Sequence, residues 1–264
     1  MRDNLSANYK LGQNLDLTSY LASGGAGYAK WGAAGWQPIG SYFSPVLSSE
    51  FAGSLDGYVY KISGLWINRS SNDYIGLFGS VRGGNIQKLG VEIADVNGGI
   101  KGRGSLGGIV GSCTSGNITD CYTTGTVTGT GSCVGGVVGS MSGNITNCYA
   151  TGAINGYSWV GGVTGWLTGG SMTNCVALNP SISGSSSGFV YRVGWCSDGG
   201  VPVNNWARSN MTIIENGVPI TYRLDGADCA AIPVASWWTT PAPNGPGWSS
   251  TVWIFTTGQL PKLR

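Results

Sequence analysis

Histidine is absent from the chain of 264 residues, and charged side chains make up only 10% of it. The missing imidazole removes the commonest general base and the commonest metal ligand. With 14 basic and 12 acidic residues the net charge is +2, which gives a field too weak to capture nucleic acid. We therefore expect no nucleic-acid partner, no cofactor and no bound metal, and catalysis is disfavoured.

Long apolar runs and recognisable cysteine motifs are also lacking. No stretch of 18 apolar residues occurs, so no membrane insertion is expected. The start, Met1-Arg2-Asp3-Asn4, leads into polar sequence and not into the apolar part of a signal peptide, which indicates either a cytosolic chain or a start from which the leader has been removed. The seven cysteines follow no C-x-x-C or zinc spacing, and their odd number excludes complete internal pairing.

Glycine, by contrast, is abundant, with 47 residues and no Gly-X-Y period that would indicate collagen. A short motif that ends in glycine recurs through the middle of the chain, and its closing glycines are 32, 28, 26 and 29 residues apart. A second motif, Gly-Asn-Ile-x-x-Cys in its clearest form, follows the first each time. Two motifs that move together indicate an internal repeat. The first lies at residues 75–79, 108–111, 136–139, 162–165 and 191–194, and the second at residues 84–89, 116–121, 143–148, 170–175 and 201–206.

Each repeat consists of short β-rich runs separated by Gly, Ser and Asn, and residues 75–200 show no helical periodicity. A β unit of this length cannot bury its apolar face alone and must stack on a neighbour. A propeller blade would need about 40 residues and four strands. The pattern therefore predicts an all-β fold, a parallel β-helix (solenoid) of about seven coils that is ~34 Å long at ~4.8 Å per coil.

Stacked coils place equivalent residues above one another, and three apolar columns can be traced through the repeats. Five of the seven cysteines lie where other coils carry Leu, Met or Val, which favours small buried thiols. Disulfides or a metal site are the alternatives, although side chains that point the same way have poor geometry for a disulfide. The columns are Val81, Cys113, Met141, Leu167 and Cys196; Ile86, Ile118, Ile145, Met172 and Val203; and Leu89, Cys121, Cys148, Cys175 and Trp206.

The two ends of the chain depart from the repeat. Residues 1–74 are predicted to form less regular coils, residues 75–206 the regular repeats, and residues 207–264 a capping segment, within one structural domain overall. A short helix is predicted at residues 227–236. Because an open solenoid end exposes strand edges and core, we expect the C-terminal aromatic residues to form an irregular cap.

Several of these motifs resemble the GLUG repeat: Gly-Leu-Phe-Gly at residues 76–79, the Gly-Gly-apolar-Val-Gly segments and Gly-Asn-Ile-x-x-Cys-Tyr. That repeat occurs in filamentous-haemagglutinin-like adhesins and in the non-catalytic parts of immunoglobulin A peptidases of bacteria. The resemblance covers residues 1–210 well and the tail moderately. It implies a right-handed β-helix in a secreted or cell-surface protein, often as one segment of a longer chain, and therefore an excised signal peptide. It brings no catalytic motif.

Some β-helices are polysaccharide lyases or glycosidases, so a polysaccharide-active enzyme is the competing function. A lyase needs clustered carboxylates and a basic residue, and a glycosidase needs two carboxylates ~5–10 Å apart. Residues 104–191 contain one charged side chain, Asp120, so the regular coils cannot supply such a pair, and the chain is predicted not to be an enzyme. The remaining candidate pairs are Glu92 with Asp95, Asp56 with Asp73, and Asp225 with Asp228.

Candidate ligand-binding residues come from a column that flanks the Val81 column and should therefore point outward. Trp166 and Trp195 occupy adjacent coils of this column and would form a flat surface suited to stacking on sugar rings. The alternative is that the C-terminal segment packs over both tryptophans. The full column is Ser80, Ser112, Ser140, Trp166 and Trp195.

The function predicted from these observations is that of a structural or adhesive module, secreted or at the bacterial cell surface. Exposed β surface normally carries charges that prevent edge pairing, and the middle of this chain has almost none. The expected partners are therefore a host or matrix glycan or protein, or further copies of the chain.

Overall fold

The computed structural model describes residues 1–41, 49–186, 189–197, 199–221, 230–231, 238, 245–256 and 259–264. Parallel strands stack from turn to turn, so the predicted all-β solenoid is confirmed. The repeats form successive turns, and residues 8–68 supply strands of the turns that precede them. Helix is confined to short segments, which in the described chain are the α-helices Thr18–Leu21 and Ala26–Trp31 and the 3-10 turns Gly32–Ala34 and Val96–Gly98.

Three long parallel sheets form the sides of the solenoid. The first contains Asn8–Lys10, Ser54–Asp56, Phe78–Gln87, Val110–Thr119, Val138–Met141, Asn144–Thr146, Thr164–Leu167, Gly170–Thr173, Trp195–Cys196 and Gly200–Val203. The second contains Leu15–Asp16, Lys61–Leu65, Gly90–Ile93, Tyr122–Thr124, Tyr149–Ala150, Val176–Ala177, Trp206–Ala207 and Ala230–Ala231. The third contains Ile67–Asn68, Ile100–Gly102, Val127–Gly129, Ile154–Gly156, Ser181–Gly184 and Thr212–Glu215, with Val218–Ile220 added antiparallel.

Two smaller sheets complete the strand arrangement of the described residues. Val134–Gly135, Val160–Gly161 and Val190–Tyr191 form a short parallel sheet, which lies just before the first sheet along each turn. Trp253–Ile254 and Lys262–Leu263 form an antiparallel pair near the C-terminus. Ala230–Ala231 is a strand of the second sheet, so the helix predicted there is wrong, and the rest of residues 227–236 lies outside the described residues.

The predicted columns are in register through most of the repeats. Ile145 pairs with Ile118 on one side and with Met172 on the other. Met141 likewise pairs with Cys113 and Leu167. These side chains are buried, because alternate residues of a strand face the same side of the sheet. The columns therefore form the core of the solenoid.

The predicted alignment of the last repeat is wrong by one residue. Met172 pairs with Pro202 and not with Val203, which is 46% exposed. Trp206 pairs with Val176, so Asn205 and not Trp206 follows Cys175 in its column. The predicted alignment places two additional residues in the loop before Gly200 relative to the loop before Gly170, whereas the structure has one. A one-residue shift in a strand exchanges the inner and outer faces.

Left-handed residues turn the chain at the corner between the first and second sheets. Asn85, Asn117 and Asn144 form a column within the strands that precede this corner. The Asn117 amide donates to the Asn85 amide oxygen at 2.7 Å, and the Asn144 amide donates to that of Asn117 at 3.0 Å. The corner itself consists of another column with φ near +50°, which Asn tolerates better than most residues. Its members are Lys88, Asp120, Asn147, Asn174 and Asn204.

The cysteine column consists of reduced, buried thiols. Cys121, Cys148 and Cys175 precede the paired residues Tyr122, Tyr149 and Val176 and are completely buried. All six cysteines of the described residues are free; of the five predicted to be buried, Cys113, Cys121, Cys148 and Cys175 are buried and Cys196 is partly exposed, whereas Cys229 lies outside the described residues. Burial raises the pKa of the Cys148 thiol well above its ordinary value, so these thiols are unreactive hydrophobic core groups.

The described C-terminal aromatic residues pack along the side of the solenoid, whereas the sequence analysis placed them over its open end. Trp248 and Trp253 form a cluster with Tyr122, Tyr149 and Trp206 of the second sheet. The Tyr149 hydroxyl donates to the Pro261 carbonyl at 2.6 Å. No helix within the described residues is long and apolar enough to cross a membrane.

Candidate functional site

Trp166 and Trp195 lie in register on neighbouring strands of the first sheet. The residues that follow them, Leu167 and Cys196, also pair with one another, and Leu167 is completely buried. Because neighbouring residues of a strand face opposite sides, both indoles point away from the core and are partly exposed. The predicted outward surface therefore exists on these two coils.

In the lower coils, the residues of the column that contains Trp166 and Trp195 are buried and do not contribute to the exposed surface. Ser80 is completely buried, and its hydroxyl donates to the Glu50 carboxylate at 2.7 Å. Ser112 is also buried. The exposed part of the column thus begins above these two serines.

Two further aromatic residues extend the surface around Trp166. Trp159 stacks on Trp166 with ring centroids 5.0 Å apart and an interplanar angle of 16°. Phe189, which is 38% exposed, contacts Trp159 edge-on at 5.7 Å. Tyr191 is buried and supports Trp195 at 5.0 Å. We call Trp159, Trp166, Phe189 and Trp195 the aromatic strip.

Trp159 and Phe189 escaped the sequence analysis because they precede the motif that was aligned. They adjoin Val160 and Val190, which are paired in the short parallel sheet. Trp159 has φ of +49°, a conformation that costs a residue with a Cβ roughly 1–2 kcal/mol. The same turn position carries Tyr74, Ser105 and Cys133 in lower coils, all with positive φ. A tryptophan at a turn position that requires positive φ is unusual, and this is the feature that could have drawn attention to Trp159.

Polar side chains adjoin the aromatic strip. The Trp166 indole nitrogen donates to the Ser197 hydroxyl at 2.8 Å. Ser132 and Ser158, on the adjacent corner, share a hydroxyl hydrogen bond of 2.7 Å. Asp120 is bound to Asn147 at the opposite end of the first sheet, 2.9 Å from its amide. The arrangement is suited to a flat ligand that offers C–H groups to the rings and hydroxyls to the rim.

The described part of the C-terminal segment does not cover the aromatic strip. Its aromatic residues Trp238, Trp248 and Trp253 contact the second sheet instead. The Trp248 indole nitrogen donates to the Asn174 carbonyl at 2.9 Å, which anchors it at the corner of that sheet. The alternative in which this segment hides Trp166 and Trp195 therefore has no support in the described residues.

Three of the candidate catalytic carboxylates, those of Glu92, Asp56 and Asp73, are each engaged by a different partner. Glu92 forms an ion pair with Lys61 at 2.9 Å. Asp56 accepts from the Gln87 amide at 3.0 Å.

Asp73 binds the Arg103 guanidinium, a contact that holds the pKa of the carboxyl below its usual value. Asp225 and Asp228 lie outside the described residues, within which no group of three potential ligands could hold a metal ion.

Comparison with known proteins supports the family resemblance and the fold. Residues 130–155 match the family model described as the GLUG motif. The chain is 39% identical over 74 residues to a protein of Evansella cellulosilytica provisionally described as a Gly-rich membrane protein, an alignment that covers 28% of this chain and 7% of the relative. It is 32% identical over 124 residues to halomucin of Haloquadratum walsbyi, covering 46% of this chain and 1% of the relative. The chain therefore spans less than a tenth of either curated relative.

A solved structure shares the fold over nearly the whole chain. It is the crystal structure of a Bacteroides ovatus protein provisionally described as an immunoglobulin A1 protease, with a TM-score of 0.63. The alignment covers 97% of this chain and 85% of the other, at 20% identity. At this identity the likeness concerns the fold and does not extend to activity.

Proposed function

We propose that this GLUG-motif solenoid is a non-catalytic adhesive module of a secreted or cell-surface bacterial protein and that it binds glycan through the aromatic strip. The observation that carries the proposal is the outward stacking of Trp159 and Trp166 beside Trp195. Exposed aromatic surface of this kind is rare on soluble chains unless it binds something. The curated relatives described as a membrane protein and as halomucin support a surface location.

A hydrolytic or lyase function has less support from the arrangement of acids. Glu92 and Asp73 each neutralise a different basic partner, Lys61 and Arg103. An acid–base pair would need two carboxylates that face a common substrate position. The sequence contains a single acidic residue, Asp198, between Asp120 and Glu215, so residues 121–214 cannot supply a pair of carboxylates.

Replacing Trp166 and Trp195 together by Ala is expected to weaken glycan binding at least about tenfold, which corresponds to ~1.4 kcal/mol. The loss follows because stacking on the indole faces would supply most of the contact area. A glycan array with the native chain identifies the ligand, and titration calorimetry then compares the variants. Trp31→Ala is the matched control, since Trp31 is a partly exposed indole in the helix Ala26–Trp31, outside the strip.

Equal binding by the double variant and the native chain would contradict the proposal, as would an equal loss in Trp31→Ala. Sedimentation velocity on the same samples tests the competing use of the strip. Concentration-dependent assembly that disappears in the double variant, without glycan binding, would assign the strip to self-association instead.

A further inference from the structure

A polar cavity of about 250 Å³ lies between the N-terminal segment and the turn before the first repeat. Its position is independent of the aromatic strip, because Ile75 on its wall is three turns below Val160 in the ladder Ile75, Leu106, Val134, Val160. Ladder spacing places it ~14 Å lower along the axis. The cavity is lined by Gln37, Pro38, Ser41, Arg69, Ser71, Asn72, Asp73, Tyr74, Ile75 and Arg103.

The charge of Arg69 is not balanced by a carboxylate. Its guanidinium donates to the carbonyl oxygens of Trp36 and Gly35, at 3.2 Å and 3.5 Å. No ion pair that includes Arg69 occurs among the described residues. Asp73, the acid in the cavity wall, is already held by Arg103 and by the Gly104 amide, 3.0 Å away.

A second guanidinium increases the positive potential beside Arg69. Arg2 lies over the Trp36 ring at 4.7 Å and donates to the Pro38 carbonyl at 2.8 Å. Burial is the main cause that lowers the pKa of Arg2, and the charge of Arg69 also lowers it. Two partly buried guanidinium groups that form no ion pair within the described residues favour the binding of an anion.

We propose that this cavity binds the carboxylate of a small ligand, either an acidic monosaccharide or a free organic acid. Arg69 holds the carboxylate, because the guanidinium fork matches its geometry. Asn72 and Gln37 on the wall provide amide donors and acceptors for hydroxyl groups of the ligand. The volume is just below the usual range of small-molecule sites, which selects a single sugar ring over an oligosaccharide.

The test is a titration of the native chain with glucuronate, followed by the NMR signal of the Arg69 side-chain N–H and by calorimetry. Glucuronate is expected to shift the Arg69 signal at millimolar concentration, whereas glucose, its neutral counterpart, should not. A titration with acetate distinguishes a free organic acid from an acidic sugar as the ligand. If acetate binds as tightly as glucuronate, the cavity is assigned to simple carboxylates. If acetate binds more weakly, the cavity is assigned to acidic sugars. An unchanged Arg69 signal with both acids would overturn the proposal.

Variants of Arg69 show whether glucuronate binds in this cavity or is attracted to basic residues in general. Arg69→Gln should weaken glucuronate binding by about tenfold or more, and Arg69→Lys should also weaken it because the fork is lost. Arg208→Gln is the matched control, since Arg208 also donates to a backbone carbonyl, that of Leu178, but lies outside the cavity. Native affinity in a folded Arg69→Gln chain would refute the assignment, and Arg69→Lys provides the same test should the Gln variant fail to fold.

Discussion

Ile145→Asp is expected to unfold the solenoid or to lower its free energy of unfolding by at least ~4 kcal/mol. Ile145 is completely buried between Ile118 of the turn below and Met172 of the turn above. A carboxylate there would be desolvated with no basic partner, since Asp120 is the one charged residue between 104 and 191. Because each turn is stabilised by its neighbours, the damage should spread along the axis.

Thr146→Asp is the matched control for this prediction. Thr146 is the next residue of the same strand, faces the other side and is partly exposed, so its variant should lose less than ~1 kcal/mol. Urea unfolding followed by tryptophan fluorescence measures both variants. Similar stabilities for the two would mean that the inner and outer faces are assigned incorrectly.

Trp253→Ala is expected to lower the free energy of unfolding by ~3–5 kcal/mol, the usual cost of truncating a buried tryptophan. Trp253 is completely buried and packs on Trp248 at 4.8 Å, Tyr149 at 5.8 Å and Tyr122 at 6.5 Å. Its loss leaves a cavity between the tail and the second sheet. The tail should then detach and expose Tyr122 and Tyr149 to solvent.

Ile254→Ala provides the comparison, because Ile254 is the neighbouring residue and is 42% exposed. It should leave stability nearly unchanged. Thermal unfolding gives the stability of each variant, and limited proteolysis shows whether the tail has detached. Native resistance of the Trp253→Ala tail to protease would contradict the packing described for this segment.

The register of the core could be predicted from the sequence because parallel stacking repeats the same inward positions in each turn. Cys121, Cys148 and Cys175 illustrate this, since each lies three residues after an inward apolar residue, which is Ile in the first two repeats and Met in the third. The prediction failed at Val203 and Trp206, because it placed two additional residues in the preceding loop whereas the structure has one, which puts Pro202 and Asn205 in the columns instead. A loop insertion carries no periodic signal by which it could be placed.

The surface was harder to predict than the core. Trp166 and Trp195 were found because they share a column, whereas Trp159 depends on a left-handed corner that the aligned motifs do not include. The docking of the tail was missed for another reason: Tyr149 and Pro261 are 112 residues apart, and contacts outside the repeat have no period. Column patterns therefore predict the stacked sheets but not the segments that pack on them.

The vertical stacking of equivalent residues is tested most directly by nuclear Overhauser effects between methyl groups in a chain labelled at Ile and Met. The structure predicts strong effects between Ile118 and Ile145 and between Ile145 and Met172, because these residues are paired on adjacent strands about 4.8 Å apart. Assigned methyl signals without these effects would contradict the account.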